Sequence, residues 1–236
     1  MKLNPQAQNE IKQAIGQKAA ALVEEGMLVG LGSGTTASYF IKSLIERCRN
    51  GLKIQAVSSS IQSLEIARAG NIPIMDMAQV TSIDLTIDGA DEIDPKNRMI
   101  KGGGGAHVRE KIIASSSKKM IIIVDESKLV DELGQFGLPV EILPFGYQAT
   151  IAKMKKLNYE GELRKKEDGS SYISDNGNYI FDIHEPKRFP HPEQDHDRIV
   201  NLAGVVETGF FFNLPVQVLV GYADGTVAFR TTKERQ

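Results

Sequence analysis

Short apolar runs alternate with helical stripes through the first half of this 236-residue chain. MLVGLG, KIQAVS, IDLTID and KMIIIVD are typical of buried strands, and IPIMD is a further strand candidate. Residues 11–23 and 37–48 carry apolar side chains at helical spacing instead. Strands that alternate with helices predict a parallel, doubly wound sheet covered on both faces. We therefore predict an α/β fold with a Rossmann-like parallel sheet domain.

The pattern changes near Leu133, where helix, strand and turn signals follow one another up to a strand ending near His184. A further helix and strand come next, which predicts a second, smaller α+β domain. VQVLVGYADGTVAF then indicates a hairpin around Asp224–Gly225 that returns to the first sheet. The predicted domains are one built on the parallel sheet, residues 1–133 plus 216–236, and a smaller α+β domain, residues 134–215.

The composition excludes several classes of partner. The formal net charge is -2 and no block of Lys and Arg occurs, so we expect no nucleic acid. No apolar run approaches the roughly 20 residues that span a bilayer, and the first residues lack the apolar core of a secretory signal. We expect no membrane partner and a cytoplasmic location. With one cysteine, Cys48, the chain forms no internal disulfide.

The stretch GLGSGTT joins a predicted strand to a helix, at the end of the strand where doubly wound sheets bind ligands. Its glycines allow a ligand to approach the backbone closely. The free N–H groups of the helix N-terminus and the hydroxyls of Ser33, Thr35 and Thr36 can donate hydrogen bonds to an anion. The spacing fits neither the dinucleotide motif nor the Walker motif. The stretch indicates the phosphate of a small molecule, or an ordinary turn capped by Ser or Thr.

Two further stretches end predicted strands. DGADEID, residues 88–94, is compatible with a solvated turn, a divalent-metal site or hydroxyl acceptors for a sugar. In KGGGGAHVREK, four glycine amides follow Lys101, and a helix starting near Ala106 would place Glu110 one turn in. Glu110 and Arg109 could instead be surface charges near a helix N-terminus.

VDESK places Lys128 just after an apolar strand, either at the same ligand site or on an exposed turn. Together the four stretches suggest an anion cradle, hydroxyl acceptors, a lysine and a general base. That set suits an acid–base step on a phosphorylated sugar. A non-catalytic sugar-phosphate sensor is the alternative from another class. The spacing of His184, His191 and His196 fits no metal-ligand pattern, and we expect neither metal nor cofactor.

The chain resembles type A ribose-5-phosphate isomerases. GLGSGTTA, AVSSS, TIDGADEID, KGGGGAHVREKIIA, VDESK, SDNGNYIFD and GVVETGFF match the motifs of that family in the same order, over nearly the whole chain. The resemblance implies metal-free interconversion of ribose 5-phosphate and ribulose 5-phosphate through an enediolate, in the non-oxidative pentose phosphate pathway. It also implies that residues 1–133 plus 216–236 form a Rossmann-like catalytic domain beside the smaller domain, and that the chain forms a homodimer or homotetramer.

The resemblance also implies residue roles. Glu110 matches the proton-accepting glutamate, and Asp88 and Lys101 are the other predicted catalytic residues; whether Asp88 or Asp91 assists ring opening stays open. Lys12 corresponds more loosely to a phosphate-contacting lysine. The predicted substrate-binding residues are Ser33, Gly34, Thr35, Thr36, Asp88, Gly89, Ala90, Asp91, Lys101, Gly102, Gly103, Gly104 and Lys128.

Three positions depart from the family pattern. Ser33 stands where many members have threonine, which keeps the hydroxyl. Gly105 and His107 replace residues that are often alanine and an apolar side chain. We expect His107 to point to solvent from the first helical turn; the alternative is that it tunes Glu110.

Overall fold

The computed structural model describes residues 5–184 and 188–231. Within them the helices are α1 (Pro5–Ala20), α2 (Thr35–Arg49), α3 (Ile61–Ala69), α4 (His107–Ser115), α5 (Tyr147–Lys156) and α6 (Pro192–Val200). The strands are β1 (Leu28–Leu31), β2 (Gln55–Ser58), β3 (Leu85–Asp88), β4 (Glu92–Ile93), β5 (Met99–Ile100), β6 (Met120–Asp125), β7 (Leu138–Ile142), β8 (Gly161–Leu163), β9 (Tyr179–Ile183), β10 (Val205–Thr208), β11 (Phe210–Phe211), β12 (Val216–Gly221) and β13 (Val227–Phe229).

The chain divides into two compact units. The first comprises Met1–Ala90, Arg109–Leu129 and Leu214–Gln236, and the second comprises Asp91–Val108 and Val130–Asn213. The domain limits given above stay a prediction, and their outer ends, residues 1 and 236, lie outside the described residues.

The first unit is built on a six-stranded sheet with the order β13-β12-β6-β3-β1-β2. Its strands pair in parallel except for β13, which forms an antiparallel hairpin with β12. The predicted parallel sheet and the hairpin around Asp224–Gly225 are therefore confirmed. The IPIMD segment forms only one bridge, between Ile74 and Ala56, so the strand predicted there is wrong.

Apolar side chains cover both faces of this sheet. Val29, Leu31 and Ile87 lie in the core that includes α1 and α2. Alternate strand residues face the other way, where Val57 packs with Ile113 of α4. Burial on both faces explains why the strands read as continuous apolar runs.

Arg47 joins the two helices on one face of the sheet. It lies in the last turn of α2, and its Nη1 donates to the carbonyls of Ala20 and Val23, at 2.7 Å from the latter. The Ala20 carbonyl ends α1 and also accepts the N–H of Val23 at 3.2 Å, so the guanidinium adds a charged donor to the turn that follows the helix.

The second unit contains two antiparallel sheets, one with the order β10-β7-β9-β8 and one with the order β11-β5-β4. Phe181, Tyr159 and Phe210 belong to its buried core, which α5 and α6 supply through Met154 and Ile199. An α/β chain with a parallel sheet and a second, antiparallel unit confirms the predicted fold class.

The described segments were also searched for membrane-spanning helices. None of the helices between residues 5 and 231, the gap at 185–187 aside, is long and apolar enough to cross a membrane.

Arg47→Met should lower the free energy of unfolding by about 1.5–3 kcal/mol, the range for hydrogen bonds made by charged groups. Arg49→Met is the matched control, because Arg49 lies in the same turn and its partner in the described part of the chain is the exposed Glu46. That variant should stay within about 0.5 kcal/mol of wild type. Urea unfolding measures both, and equal losses would contradict the role of Arg47.

Candidate active site

Three loops of the first unit leave neighbouring parallel strands at one edge of the sheet. They follow β1, β3 and β6, whose register pairs Leu31 with Ile87 and Asp88 with Ile122. The chain passes from β1 to β2 on one side and to β3 on the other, so the strand order reverses here. This reversal is the position at which doubly wound sheets bind ligands.

The loop after β1 is held by the end of β3. Gly32 donates its N–H to the carbonyl of Ile87 at 2.9 Å, and Ser33 donates its N–H to Asp88 Oδ1 at 3.0 Å. Helix α2 begins at Thr35 after Gly34, and no side chain of residues 5–184 and 188–231 caps its N-terminus. The interpretation of this stretch as a turn capped by Ser or Thr is therefore wrong. An uncapped N-terminus instead presents N–H groups that suit an anion.

Asp88 is 1% exposed and accepts a second backbone hydrogen bond from Gly89, at 2.7 Å. Its carboxylate thus joins two loops of the first unit. A β-carbon added to Gly32 would lie 2.2 Å from Asp88 Oδ1, so only glycine leaves room for this carboxylate.

Glu110 lies in the first turn of α4 and is 5% exposed. The hydroxyl of Ser33 donates to its Oε1. The structure thus brings Ser33, Asp88 and Glu110 together within the first unit. Because its side chain is buried, the alternative that Glu110 is a surface charge is wrong. A buried carboxylate needs a hydrogen-bond donor such as the Ser33 hydroxyl.

Two lysines of the first unit, Lys128 and Lys12, were predicted to contact the substrate. Lys128 ends a short 3₁₀ turn that follows β6, at the same sheet edge as Asp88, and its side chain is partly exposed. Asp125 caps this turn by accepting the N–H of Ser127 at 3.0 Å. Lys12 lies in α1 and is also partly exposed.

The acids of DGADEID are not a solvated turn, since three of them are buried: Asp88, Glu92 and Asp94. Glu92 accepts the N–H groups of Gly134 at 2.6 Å and Phe136 at 2.5 Å, and Asp94 accepts from Arg98 at 2.6 Å. Burial raises the pKa of Glu92, while the backbone N–H groups oppose that shift. Across residues 5–184 and 188–231, no three His, Cys, Asp or Glu side chains are grouped so as to hold a metal ion.

Asp91 and the glycine loop meet in the second unit. Gly103 donates its N–H to Asp91 Oδ2 at 2.8 Å, and Lys101 donates its N–H to the carbonyl of Gly209 at 2.8 Å. The Lys101 side chain is buried, with Nζ 5.4 Å from the ring centre of Phe211. Gly102 has φ +110°, a conformation that favours glycine.

The expectation that His107 points to solvent is wrong. Its side chain is 0% exposed, and Nε2 lies 3.3 Å from the carbonyl oxygen of Glu207. A β-carbon on Gly102 would lie 2.8 Å from His107 Nδ1. The histidine therefore packs beneath the glycine loop in the second unit.

Two side chains that hydrogen-bond to the glycine loop were not predicted from the sequence. Arg164 donates to the carbonyls of Gly102 and Gly103, and Tyr172 donates to the carbonyl of Gly104. They lie in LRKKEDGSSY, a charged stretch typical of a solvent-exposed turn. No local signal distinguishes them, because the contacts form between segments about 60 residues apart.

Comparison with known proteins identifies the family. The model of ribose 5-phosphate isomerase A (phosphoriboisomerase A) matches residues 55–225. This chain belongs to the ribose 5-phosphate isomerase A family. It is 49% identical over 224 residues to ribose-5-phosphate isomerase A of Chlamydia felis, covering 94% of this chain and 96% of the relative. Identity to the protein of that name from Chlamydia muridarum is 51% over 218 residues, covering 92% and 91%.

Solved structures agree with the family assignment. Ribose 5-phosphate isomerase from Plasmodium falciparum superposes with a TM-score of 0.91 at 37% identity, covering 96% of this chain and 100% of the other. A D-ribose-5-phosphate isomerase in complex with phospho-erythronic acid gives a TM-score of 0.88 at 37% identity, covering 94% and 97%. The resemblance inferred from seven motifs is confirmed.

In this isomerase-family chain, Gly32→Ala should destabilise the fold by about 1–3 kcal/mol, because the added methyl group overlaps Asp88. Gly89→Ala is the matched control in the adjoining loop. A β-carbon there would meet only two backbone oxygens, at 3.8 and 3.9 Å, which is ordinary contact. Denaturant unfolding of both variants tests the difference, and equal stability would contradict the close approach of Asp88 to Gly32.

Proposed function

We propose that this chain acts as a ribose-5-phosphate isomerase. It would interconvert D-ribose 5-phosphate and D-ribulose 5-phosphate by moving a proton between carbons 1 and 2 through an enediolate. The observation that carries the proposal is the buried Glu110 carboxylate, held by the Ser33 hydroxyl in a chain whose relatives bear this name. A buried carboxylate that a hydrogen bond holds in place is suited to accept and return one proton.

Glu110 is the proposed base. It takes the proton from carbon 2 and returns it to carbon 1, and positioned proton transfer of this kind contributes about 10²–10⁴-fold to the rate. The Ser33 hydroxyl restricts the rotamers of the carboxylate, which keeps Oε1 in one place. Fixed geometry matters because the base must serve two adjacent carbons in turn.

Lys101 and the amides of Gly102 and Gly104 are the proposed donors for the oxygen that becomes negative in the enediolate, whereas the amide of Gly103 already donates to Asp91. Donors that are already oriented before reaction need no rearrangement, and losing one costs about 10²–10³ in kcat. The buried position of Lys101 and its packing on Phe211 support such an oriented donor.

We assign the phosphate to the loop of Ser33, Gly34, Thr35 and Thr36 with Lys128. The uncapped N-terminus of α2 supports this assignment, because its N–H groups and the helix dipole favour an anion. Phosphate binding would hold the sugar while its far end reacts. Lys12 is a second, weaker candidate for a phosphate contact.

Asp88, Gly89, Ala90 and Asp91 form the proposed loop for the sugar hydroxyls. Asp88 and Asp91 each accept backbone N–H groups, from Ser33 and Gly89 in one case and Gly103 in the other. Either aspartate can relay a proton during ring opening. Comparing Asp88→Asn with Asp91→Asn on ring-closed and open-chain substrates would assign that step.

The ligand in one related structure supports the substrate class. Phospho-erythronic acid combines a phosphate with a planar carboxylate on a short sugar chain. A planar, negatively charged carboxylate resembles an enediolate, and molecules that resemble the reacting state bind tightly. We therefore expect this compound to bind to the present chain as a competitive inhibitor.

We further propose a cytoplasmic enzyme that assembles as a homodimer or homotetramer. Membership in a family of metabolic isomerases supports both expectations. Light scattering coupled to gel filtration would give the mass of the assembly, and cell fractionation would give the location.

Glu110→Gln should abolish turnover while leaving sugar-phosphate affinity nearly unchanged, because the amide keeps the shape but cannot accept the proton. The measurement is conversion of ribose 5-phosphate to ribulose 5-phosphate with EDTA present, beside binding by calorimetry. Substantial activity of the variant would exclude Glu110 as the base. A wild-type protein that binds the sugar phosphate without converting it would favour a sensor or another phosphosugar.

Lys128→Ala should raise KM at least about ten-fold and change kcat less, since hydrogen bonds between charged groups contribute about 1.5–3 kcal/mol. Lys119→Ala is the control, because Lys119 is an exposed lysine just before β6, whereas Lys128 follows the strand. An unchanged KM for Lys128→Ala, or an equal rise in both variants, would contradict phosphate binding by Lys128.

A further inference from the structure

Three consecutive carbonyl groups of the glycine loop accept hydrogen bonds from side chains of the second unit. Arg164 Nη1 lies 2.9 Å from the carbonyl oxygens of both Gly102 and Gly103. The Tyr172 hydroxyl lies 2.9 Å from the carbonyl oxygen of Gly104. The loop is therefore tied through its carbonyl groups, and four ordinarily flexible glycines are held in one conformation.

Arg164 is itself fixed in place. Its Nε donates to Asp182 Oδ2 at 2.8 Å and its Nη2 donates to Oδ1 at 2.5 Å. The two side chains are 15% and 25% exposed, so the pair is largely shielded from water. A bidentate pair of this kind fixes the plane of the guanidinium, which leaves Nη1 directed at the loop.

Tyr172 is fixed by the hairpin that carries it. Its N–H donates to the carbonyl of Arg164 at 2.9 Å, and its ring centre lies 5.7 Å from the guanidinium carbon. Burial raises the pKa of its phenol, so the hydroxyl remains a donor at neutral pH. Two residues later, Ser174 donates to the buried carboxylate of Glu141 at 3.1 Å, which anchors the turn.

The planar trans peptide converts these contacts into a direction for the amides. In this plane a C=O group and the N–H of the next residue point in opposite directions. The carbonyl of Gly102 faces Arg164, and the N–H of Gly103 accordingly reaches Asp91 at 2.8 Å. The carbonyl of Gly103 also faces Arg164, so the N–H of Gly104 points away from the guanidinium.

The Gly104 amide lies on an open part of the loop. Among residues 5–184 and 188–231 it has no hydrogen-bond partner, and a β-carbon on Gly104 would meet no atom within 4 Å. A carbonyl that accepts from a charged donor also polarises its own peptide unit, which makes the attached N–H a stronger donor.

We propose that Arg164 and Tyr172 are positioning residues for the isomerisation, which hold the carbonyls of the glycine loop so that the Gly104 N–H donates to an oxygen of the bound sugar phosphate. This inference rests on the proposed function. Neither side chain needs to touch the substrate, because both act through the peptide planes of Gly102, Gly103 and Gly104.

The first test is Arg164→Ala in the full-length protein, with steady-state turnover of ribose 5-phosphate and urea unfolding. We expect kcat to fall about 10²-fold, as for a lost oxyanion donor, with a smaller change in KM. Lys165→Ala removes the same charge from the exposed neighbouring residue and should change kcat less than about two-fold. A wild-type kcat in folded Arg164→Ala would overturn the proposal.

Chemical rescue separates positioning from a general structural role. Removal of the Arg164 side chain leaves the Asp182 carboxylate facing two carbonyl groups, a site that suits a guanidinium ion. Millimolar guanidinium chloride should restore part of the lost kcat, whereas sodium chloride at equal ionic strength should not. Equal effects of the two salts would assign the loss to the fold and overturn the positioning role.

Tyr172→Phe keeps the ring and removes one hydrogen bond, so it decides the question if Arg164→Ala does not fold. We expect kcat to fall about three- to ten-fold, as for a neutral hydrogen bond. Tyr179→Phe, on β9 of the same unit, should match wild type. Equal kcat in both variants would overturn the proposal. Failure of wild type to isomerise ribose 5-phosphate would instead refute the proposed function and, with it, this inference.

Discussion

Two backbone N–H groups, those of Ser33 and Gly89, donate to one oxygen of the buried Asp88 carboxylate. The loop after β1 takes its shape from this interaction, because Gly32 must lack a side chain to admit the carboxylate. The shaped loop then presents the Ser33 hydroxyl to Glu110 and the uncapped N-terminus of α2 to an anion. One carboxylate at a strand end thus organises the proposed phosphate loop and, through Ser33, the proposed base.

In the second unit, side chains also hold a loop backbone in place, but most of them donate hydrogen bonds instead of accepting them. Where Asp88 accepts backbone N–H groups, Arg164 and Tyr172 donate to backbone carbonyls, and Asp91 accepts the N–H of Gly103. Glycines at these positions allow close approach to a ligand but lose much conformational entropy on folding. The side-chain hydrogen bonds offset that cost and hold the amides in place before a ligand arrives, which is the condition for strong electrostatic stabilisation.

Local sequence patterns were enough to predict two features of the first unit. The alternation of apolar runs and helical stripes predicted the parallel sheet, and the turn pair Asp224–Gly225 predicted the hairpin of β12 and β13. The prediction of a strand at IPIMD was wrong although the segment is apolar, since it pairs with β2 only at Ile74. The prediction that His107 points to solvent was wrong for a related reason. The histidine stands in a polar helical turn, yet the packing of Gly102 and the Glu207 carbonyl buries it.

The sequence by itself determined the fold class and the family, and it predicted the loops to which we assign the chemistry, since periodicity and short motifs are properties of neighbouring residues. Only the tertiary structure decided which atoms support those loops. It joined Ser33 to Glu110 across 77 positions, and Arg164 to the glycine loop across about 60. Such pairs cannot be predicted from a local pattern, because their hydrogen bonds form only when segments distant in the sequence come together in the fold.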